Sequence, residues 1–159
     1  MLGFISRLFG EAFPSNLTAK EVALKRVSLY YEACQVGIGC IGAQEKEEIQ
    51  IIHAATNIYM LGVLDSASQR HGLSDKDFLE LVTDFFKGIG VRHEGVFLLL
   101  ALFENMASYP SAMQCIIEGG KNFNEWANGN SMSPLGVKLA AEDFYKDVPA
   151  RMLKLMKSQ

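Results

Sequence analysis

The segment at residues 45–70 has the sequence EKEEIQIIHAATNIYMLGVLDSASQR. It is rich in residues that favour helix and contains no proline. In its first half His53 and Asn57 lie on one polar face of a helical wheel, whereas Leu61 and Leu64 occupy the same face further on. A helix that is apolar on every side belongs in a core. We therefore expect this helix to begin at the surface and to continue into the centre of the domain.

A second stretch, residues 92–108, is also apolar on most sides through its middle. Its continuous apolar run, Val96–Phe103, could by itself be a buried strand, because periodicity does not separate a short apolar run in a strand from one in a helix. The run is rich in leucine and continues into Glu104, Met106 and Ala107, which favours a helix. We expect these two stretches to be the central helices of the domain.

The starts of two further helices are marked by their capping residues. Thr18 and Glu21 form a capping box, in which a hydroxyl and a carboxylate three residues apart satisfy free N–H groups, and this predicts a helix over about 18–36. Ser74, followed by Asp77, predicts a second helix over 74–88, with apolar residues at helical spacing.

The carboxyl-terminal half has weaker signals. We expect a helix over residues 111–127, weakened by Gly119-Gly120 in its interior, and another that begins at Ser133-Pro134, with proline at the first helical position. Pro149 should end or kink that helix. Together these elements predict an all-α protein, with residues 15–159 forming a single-domain bundle of five to seven helices around two mostly apolar ones.

Composition excludes several classes of protein. The chain has 159 residues, of which 49% are hydrophobic and 21% charged, and a net charge of −3. A disordered chain has low hydrophobicity and high net charge, and a nucleic-acid-binding protein has a basic stripe; this sequence has neither feature. Three cysteines, Cys34, Cys40 and Cys115, are an odd number in a chain large enough to fold without disulfides, which indicates a reducing compartment. We expect a cytoplasmic protein with no nucleic-acid partner.

A glycine-rich motif, Gly37-Ile-Gly-Cys-Ile-Gly42, matches the pattern of dinucleotide-binding sites, and Asp65 lies near the distance expected for a ribose-binding acid. That pattern requires a strand before the first glycine, whereas the residues before Gly37 have helical spacing. We interpret the motif as a turn between two helices. The alternative is that the turn binds a phosphate group or a nucleotide.

The titratable residues form no catalytic or metal-binding pattern in the sequence. The histidines, His53, His71 and His93, are not at metal-ligand spacing, and we predict no catalytic residue, cofactor or metal. His71-Gly72 is typical of a helix C-terminus, where a protonated imidazole would suit the helix dipole. A polar pocket would most simply draw on His53, Asn57 and Asp65. The alternative function is thus a small-ligand or nucleotide-binding protein or an enzyme.

The amino-terminal segment, residues 1–14, is a predicted amphipathic helix. Its apolar residues, which include Phe4, Leu8, Phe9 and Phe13, fall on one side of the wheel, and Pro14 separates it from the bundle. The segment could pack on its own domain or a second copy, enter a groove of a partner protein, or lie on a membrane. Membrane binding is disfavoured because its polar face has a single arginine beside a glutamate.

Apolar residues at both ends of the chain therefore favour a binding protein over an enzyme. We expect a small accessory, regulatory or inhibitor/immunity-type protein that binds a partner protein or forms a homodimer. Methionines and aromatic residues make adaptable contacts. The residues expected to bind the partner are Phe4, Leu8, Phe9, Phe13, Met152 and Met156.

Overall fold

The computed structural model describes residue 14 and residues 16–39, 46–137 and 147–157. Six α-helices lie within them: α1 (Ala19–Gly39), α2 (Lys46–Arg70), α3 (Asp75–Gly88), α4 (His93–Glu104), α5 (Pro110–Ala127) and α6 (Ala150–Met156). Two short 3₁₀ helices, Met106–Ser108 and Ser133–Leu135, flank α5. No strand occurs in this part of the chain. The prediction of an all-α single-domain bundle is confirmed.

The predicted helix starts have the expected hydrogen bonds. The Thr18 amide donates to a Glu21 carboxylate oxygen over 2.7 Å, and the Glu21 amide donates to the Thr18 hydroxyl over 3.2 Å, which completes the capping box of α1. The Asp77 amide donates in the same way to the Ser74 hydroxyl over 3.2 Å at the start of α3. Local side-chain chemistry therefore fixes where these two helices begin.

Helices α2 and α5 form the central pair and run parallel. The Cys115 thiol lies 3.7 Å from the Ala55 carbonyl oxygen, and Asn124 Nδ2 lies 3.4 Å from the Ser66 hydroxyl. Residue numbers thus rise together on the two helices, which defines the parallel orientation. A parallel pair requires the chain to return to its starting end between the two helices. Residues 71–109, which include α3 and α4, make that return.

Glycines allow the two central backbones to touch. A Cβ atom on Gly62 would lie 2.7 Å from the Ile116 carbonyl carbon, and closer still to its oxygen. A Cβ atom on Gly119 would similarly approach the Tyr59 carbonyl. Helix propensity alone predicts that Gly119-Gly120 weakens its helix, because propensity takes no account of a neighbouring backbone. In the fold these glycines are what permits the close packing of α5 on α2.

The predicted role of residues 92–108 as the second central helix is corrected. Helix α4 buries Val96, Leu99 and Leu102, but its Phe97 side chain is 69% exposed, so one side of the helix faces solvent. The continuous run nevertheless forms a helix, as its composition indicated. Helix α2 follows the prediction closely, since the polar residues of its first turns give way to a fully buried middle, residues 54–64.

The carboxyl-terminal segment closes the bundle. Asp147 accepts a 2.9 Å hydrogen bond from the Ser111 amide and a second bond from the Ser111 hydroxyl, so it caps the start of α5 from a distant part of the sequence. Pro149 directly precedes α6, which packs on α2 and α4 through the buried Leu153 and Met156.

Ser133 was predicted as a helix cap, and the structure gives it another role. Its hydroxyl donates to the Asn122 carbonyl over 2.7 Å, inside the bundle, and the short 3₁₀ helix begins with no side-chain cap. Residues 138–146, the remainder of the helix predicted from Ser133, lie outside the described residues.

Candidate functional site

The predicted partner-binding residues fall into two groups. Phe4, Leu8, Phe9 and Phe13 lie outside the described residues. At the other end of the chain, Met156 is completely buried in the core of its own chain.

Met156 therefore offers no contact surface in this structure, and its role in partner binding stays a prediction. Met152 is half-buried against the core. The sequence marked both methionines as surplus apolar residues because it does not show that α6 folds back onto α2 and α4.

The three residues of the predicted polar pocket do not come together. Asn57 is 1% exposed, and its Nδ2 donates a 2.5 Å hydrogen bond to the Met156 carbonyl oxygen. Asp65 accepts a 2.8 Å hydrogen bond from Gln69 on its own helix. Asn57 and Asp65 are separated by about 12 Å along α2, since each residue of a helix adds about 1.5 Å. His53 is half-buried one turn before Asn57, so at most this pair shares a site.

The glycine motif does not begin in a turn. Gly37 and Gly39 belong to the last turn of α1, and residues 40–45 lie outside the described residues. Gly37 is buried beneath Leu135, whose Cα atom would lie 3.4 Å from a Cβ atom placed on this glycine. A dinucleotide-binding loop needs a strand followed by a tight turn, and here a helix continues through the first two glycines. The predicted turn is thus wrong at Gly37 and Gly39.

A pair of buried tyrosines is the polar feature that the sequence analysis missed. The Tyr30 and Tyr59 hydroxyls are 2.7 Å apart, and both side chains are fully buried. Phe123 and Trp126 meet the Tyr30 ring edge-on, at centroid distances of 5.4 and 5.3 Å. Burial raises the pKa of both phenols far above the usual range. The pair therefore stays neutral and serves to satisfy two buried polar groups.

The two described cysteines are also inert. Cys34 and Cys115 are buried free thiols, and burial raises the pKa of each well above its ordinary value. A thiolate is the reactive form of cysteine, so both residues act as small apolar groups. In the described part of the chain, no group of three or more metal-ligating side chains is placed to hold an ion.

His71 differs from its predicted state. It ends α2, and Gly72 follows with a φ of +62°, so the predicted helix terminus is confirmed. Burial, and after it the charges of Arg26 and Arg70, lower the pKa of His71. The imidazole is therefore favoured in its neutral form, because desolvation and two guanidinium groups outweigh the helix dipole.

Three exposed apolar side chains lie at the end of α1 and on the 3₁₀ segment that packs against it. Val36 is 66% exposed, Met132 64% and Leu135 38%. Leu135 lies over Gly37, the residue next to Val36, and the Leu135 amide donates to the Met132 carbonyl over 3.1 Å. We call these three residues the α1-end patch.

The residues of the α1-end patch belong to two stretches without charge. Neither residues 33–44 nor residues 126–137 contain Asp, Glu, Lys or Arg. The sequence predicted parts of helices and, at Gly37–Gly42, a turn in these stretches, and neither prediction indicates an exposed apolar surface. The absence of charged residues in both stretches is the sequence signal that could have identified the α1-end patch.

None of the described helices is long and apolar enough to cross a membrane. Comparison of the chain with protein-family models, with curated proteins and with solved structures yields no match.

Proposed function

We propose that this is a cytoplasmic accessory, regulatory or inhibitor-type protein that acts by binding a partner protein or a second copy of itself. The α1-end patch is its contact surface. The observation that carries the proposal is the exposure of Val36 at the end of α1 and of Met132 and Leu135 on the segment that packs against Gly37. Single exposed apolar residues are ordinary on a protein surface, whereas a group of them marks a contact site.

The surroundings of the patch support this assignment. The interior of a protein interface is depleted in charged residues, and its rim is polar. Residues 128–131, Asn-Gly-Asn-Ser, provide an exposed, polar and uncharged border beside Met132. A partner can cover this surface without removing water from a charged group, which avoids a large desolvation cost.

The size of the patch sets the scale of the contact. Full burial of a valine, leucine or methionine side chain contributes about 1.5–3 kcal/mol. Three partly exposed residues supply only a fraction of the binding energy that a specific complex needs, and such a complex covers about 800 Å² on each partner. We therefore expect the patch to be the centre of a larger contact, with a few residues that dominate the energy.

A pair of matched variants tests the proposal. Val36→Glu with Met132→Glu places charge on the patch, and Phe97→Glu places charge on an equally exposed apolar residue of α4. Each tagged protein is expressed in its source cells, and co-purifying proteins are quantified by mass spectrometry, with light scattering for self-association.

We expect the wild type and Phe97→Glu to co-purify the same partner or to associate with a second copy. The amount of bound partner, or of the self-associated form, should be at least tenfold lower for the patch variant. A circular dichroism spectrum confirms that each variant is folded. Retention of the same partners by the patch variant, or a wild type that binds nothing and stays monomeric, contradicts the proposal.

Small-ligand or nucleotide binding is the competing function. It places the ligand at Gly37–Gly42 or near His53, Asn57 and Asp65, and the helical conformation of Gly37 and Gly39 gives it less support. A ligand present at one hundred times its Kd adds about 2.7 kcal/mol of stability, so a thermal-shift screen with nucleotides and metabolites detects it. A clear shift would favour this alternative.

A further inference from the structure

An exposed dipeptide at the end of α5 has the chemistry to modify itself. Asn128-Gly129 follows Ala127, the last residue of that helix, and no other asparagine of the chain precedes a glycine. In such a pair the backbone nitrogen of the second residue can attack the side-chain amide carbon of the first, because glycine has no side chain to hinder the approach. Both residues are exposed, so water reaches the reacting groups.

The backbone around Gly129 has room to move into the reactive arrangement. Gly129 has a φ of +103°, and a Cβ atom placed on it would meet nothing within 4 Å among the described residues. Its amide donates a 2.9 Å hydrogen bond to the Trp126 carbonyl, and this bond must break before the nitrogen can attack. The bond lies at the end of a helix, where local opening costs little free energy. We therefore expect the attack to occur while the last turn of α5 is frayed.

Arg70 is placed to assist the attack. Its guanidinium group, in the last residue of α2, donates a 3.1 Å hydrogen bond to Oδ1 of Asn128. Attack on the amide carbon moves negative charge onto this oxygen, and a cationic donor stabilises charge that develops in a transition state. The two residues are 58 positions apart in the sequence, so folding is what brings them together.

We propose that Asn128 is a site of spontaneous deamidation and that Arg70 promotes the reaction. The Gly129 nitrogen gives its proton to water or hydroxide and forms a bond to Cγ of Asn128. The Cγ–Nδ2 bond breaks, and the nitrogen leaves as ammonia with a proton taken from water. A second water molecule then opens the resulting succinimide ring to aspartate or isoaspartate. In the aspartate product a carboxylate stands where Arg70 held an amide, so an ion pair replaces the hydrogen bond.

The test follows the folded full-length protein during incubation in neutral and mildly alkaline buffer. Peptide mapping by mass spectrometry measures the gain in mass when the amide is exchanged for an acid, and chromatography separates aspartate from isoaspartate. We expect Asn128 to be modified at least tenfold faster than Asn124, an exposed asparagine inside α5. The rate should rise with pH, because the attacking nitrogen must lose its proton.

The variant Arg70→Gln tests the role of the guanidinium group, since glutamine keeps a hydrogen-bond donor but has no charge. In the folded protein we expect Asn128 to react at least threefold more slowly in Arg70→Gln than in the wild type. Lys87→Gln, which removes a positive charge from the last turn of α3, is the matched control and should react like the wild type. In urea all three proteins should react at the same rate, because unfolding separates Arg70 from Asn128.

Two results would overturn the proposal. Modification of Asn128 no faster than that of Asn124 in the folded wild type would show that the dipeptide is not a modification site. A folded Arg70→Gln protein that reacts as fast as the wild type would show that the arginine does not promote the reaction. Circular dichroism confirms the fold of each variant, and Arg70 is exposed, so its replacement leaves the core intact. The reaction needs no partner, so it is tested separately from the proposed function.

Discussion

Replacing Gly62 with alanine should destabilise the protein, although alanine is the better helix former. Gly62 lies in the middle of α2, where the α5 backbone passes directly over it. The added methyl group would be 2.7 Å from the Ile116 carbonyl carbon and 2.9 Å from the Gly120 nitrogen. Both atoms belong to the backbone of a packed helix, so neither can rotate away as the end of a flexible side chain would.

The size of the effect follows from two opposed contributions. Ordinary carbon contacts are about 3.5–4.0 Å long, and the Ile116 carbonyl oxygen is closer still, so α5 must move away from α2 by at least about 1 Å at this point. A gap of that size removes about a quarter to a half of the van der Waals attraction between the two helix surfaces. Overpacking of a well-filled core costs about 1–3 kcal/mol, whereas alanine in place of glycine in a helix interior gains about 1 kcal/mol. With the cost at the upper end of its range, we expect a net loss of about 2 kcal/mol.

Urea unfolding followed by circular dichroism and by Trp126 fluorescence measures this loss. The matched control is Gly88→Ala in α3, where a Cβ atom would meet nothing within 4 Å and should add about 0.5 kcal/mol. In a thermal scan, a loss of 2 kcal/mol lowers the Tm by about 4–8 °C for a chain of this length. If Gly62→Ala is as stable as the wild type or gains stability like Gly88→Ala, the close approach of α2 and α5 is refuted.

Three further predictions concern the buried groups. Tyr30→Phe should cost about 0.5–1.5 kcal/mol, because the buried Tyr59 hydroxyl loses its bond to Tyr30 and keeps its bond to Asn122. Adding Tyr59→Phe should cost less than the sum of the two single changes, and additive losses in urea unfolding would contradict the pairing. The lowered pKa of His71 means that the folded state resists protonation, so stability should be complete above the ordinary pKa of 6.5 and should fall as pH decreases below it. His71→Gln should flatten that decline in urea unfolding between pH 7 and 5, roughly the range in which an unfolded histidine titrates, and an unchanged slope would refute the assignment. With the third cysteine replaced by serine, Cys34 and Cys115 should react with a thiol reagent only after unfolding, and rapid labelling of the native protein would contradict their burial.

The parts of the fold that follow from local chemistry were predictable from the sequence. Thr18 and Glu21 satisfy each other's N–H groups within one turn, and Gly72 ends α2 because it adopts a positive φ. These features depend on residues close together in the chain, and a sequence displays such residues directly.

Features that depend on distant residues were not predictable in this way. Asp147 caps α5 although it lies far along the chain from Ser111, and Met156 is buried where α6 packs on α2 and α4, with the Asn57 amide donating to its carbonyl. Gly119 illustrates the same limit, since helix propensity alone predicts that glycine destabilises α5 at this position. In the fold glycine is instead the stabilising residue here, because any side chain would meet the Tyr59 carbonyl and force α2 and α5 apart.

Long stretches of sequence without charged residues occur both in the core and at the proposed contact surface. Four stretches of twelve or more residues contain no Asp, Glu, Lys or Arg: 33–44, 49–64, 105–117 and 126–137. The second lies in α2, where the burial of residues 54–64 explains the absence of charge, whereas the third covers the start of α5 and includes exposed residues such as Ile117. The first and last meet at the α1-end patch, where Val36 and Met132 are mostly exposed, so burial in the chain's own core does not explain it there. A surface kept free of charge in a protein with 21% charged residues is what a contact site requires, since an unpaired charge would be costly to cover.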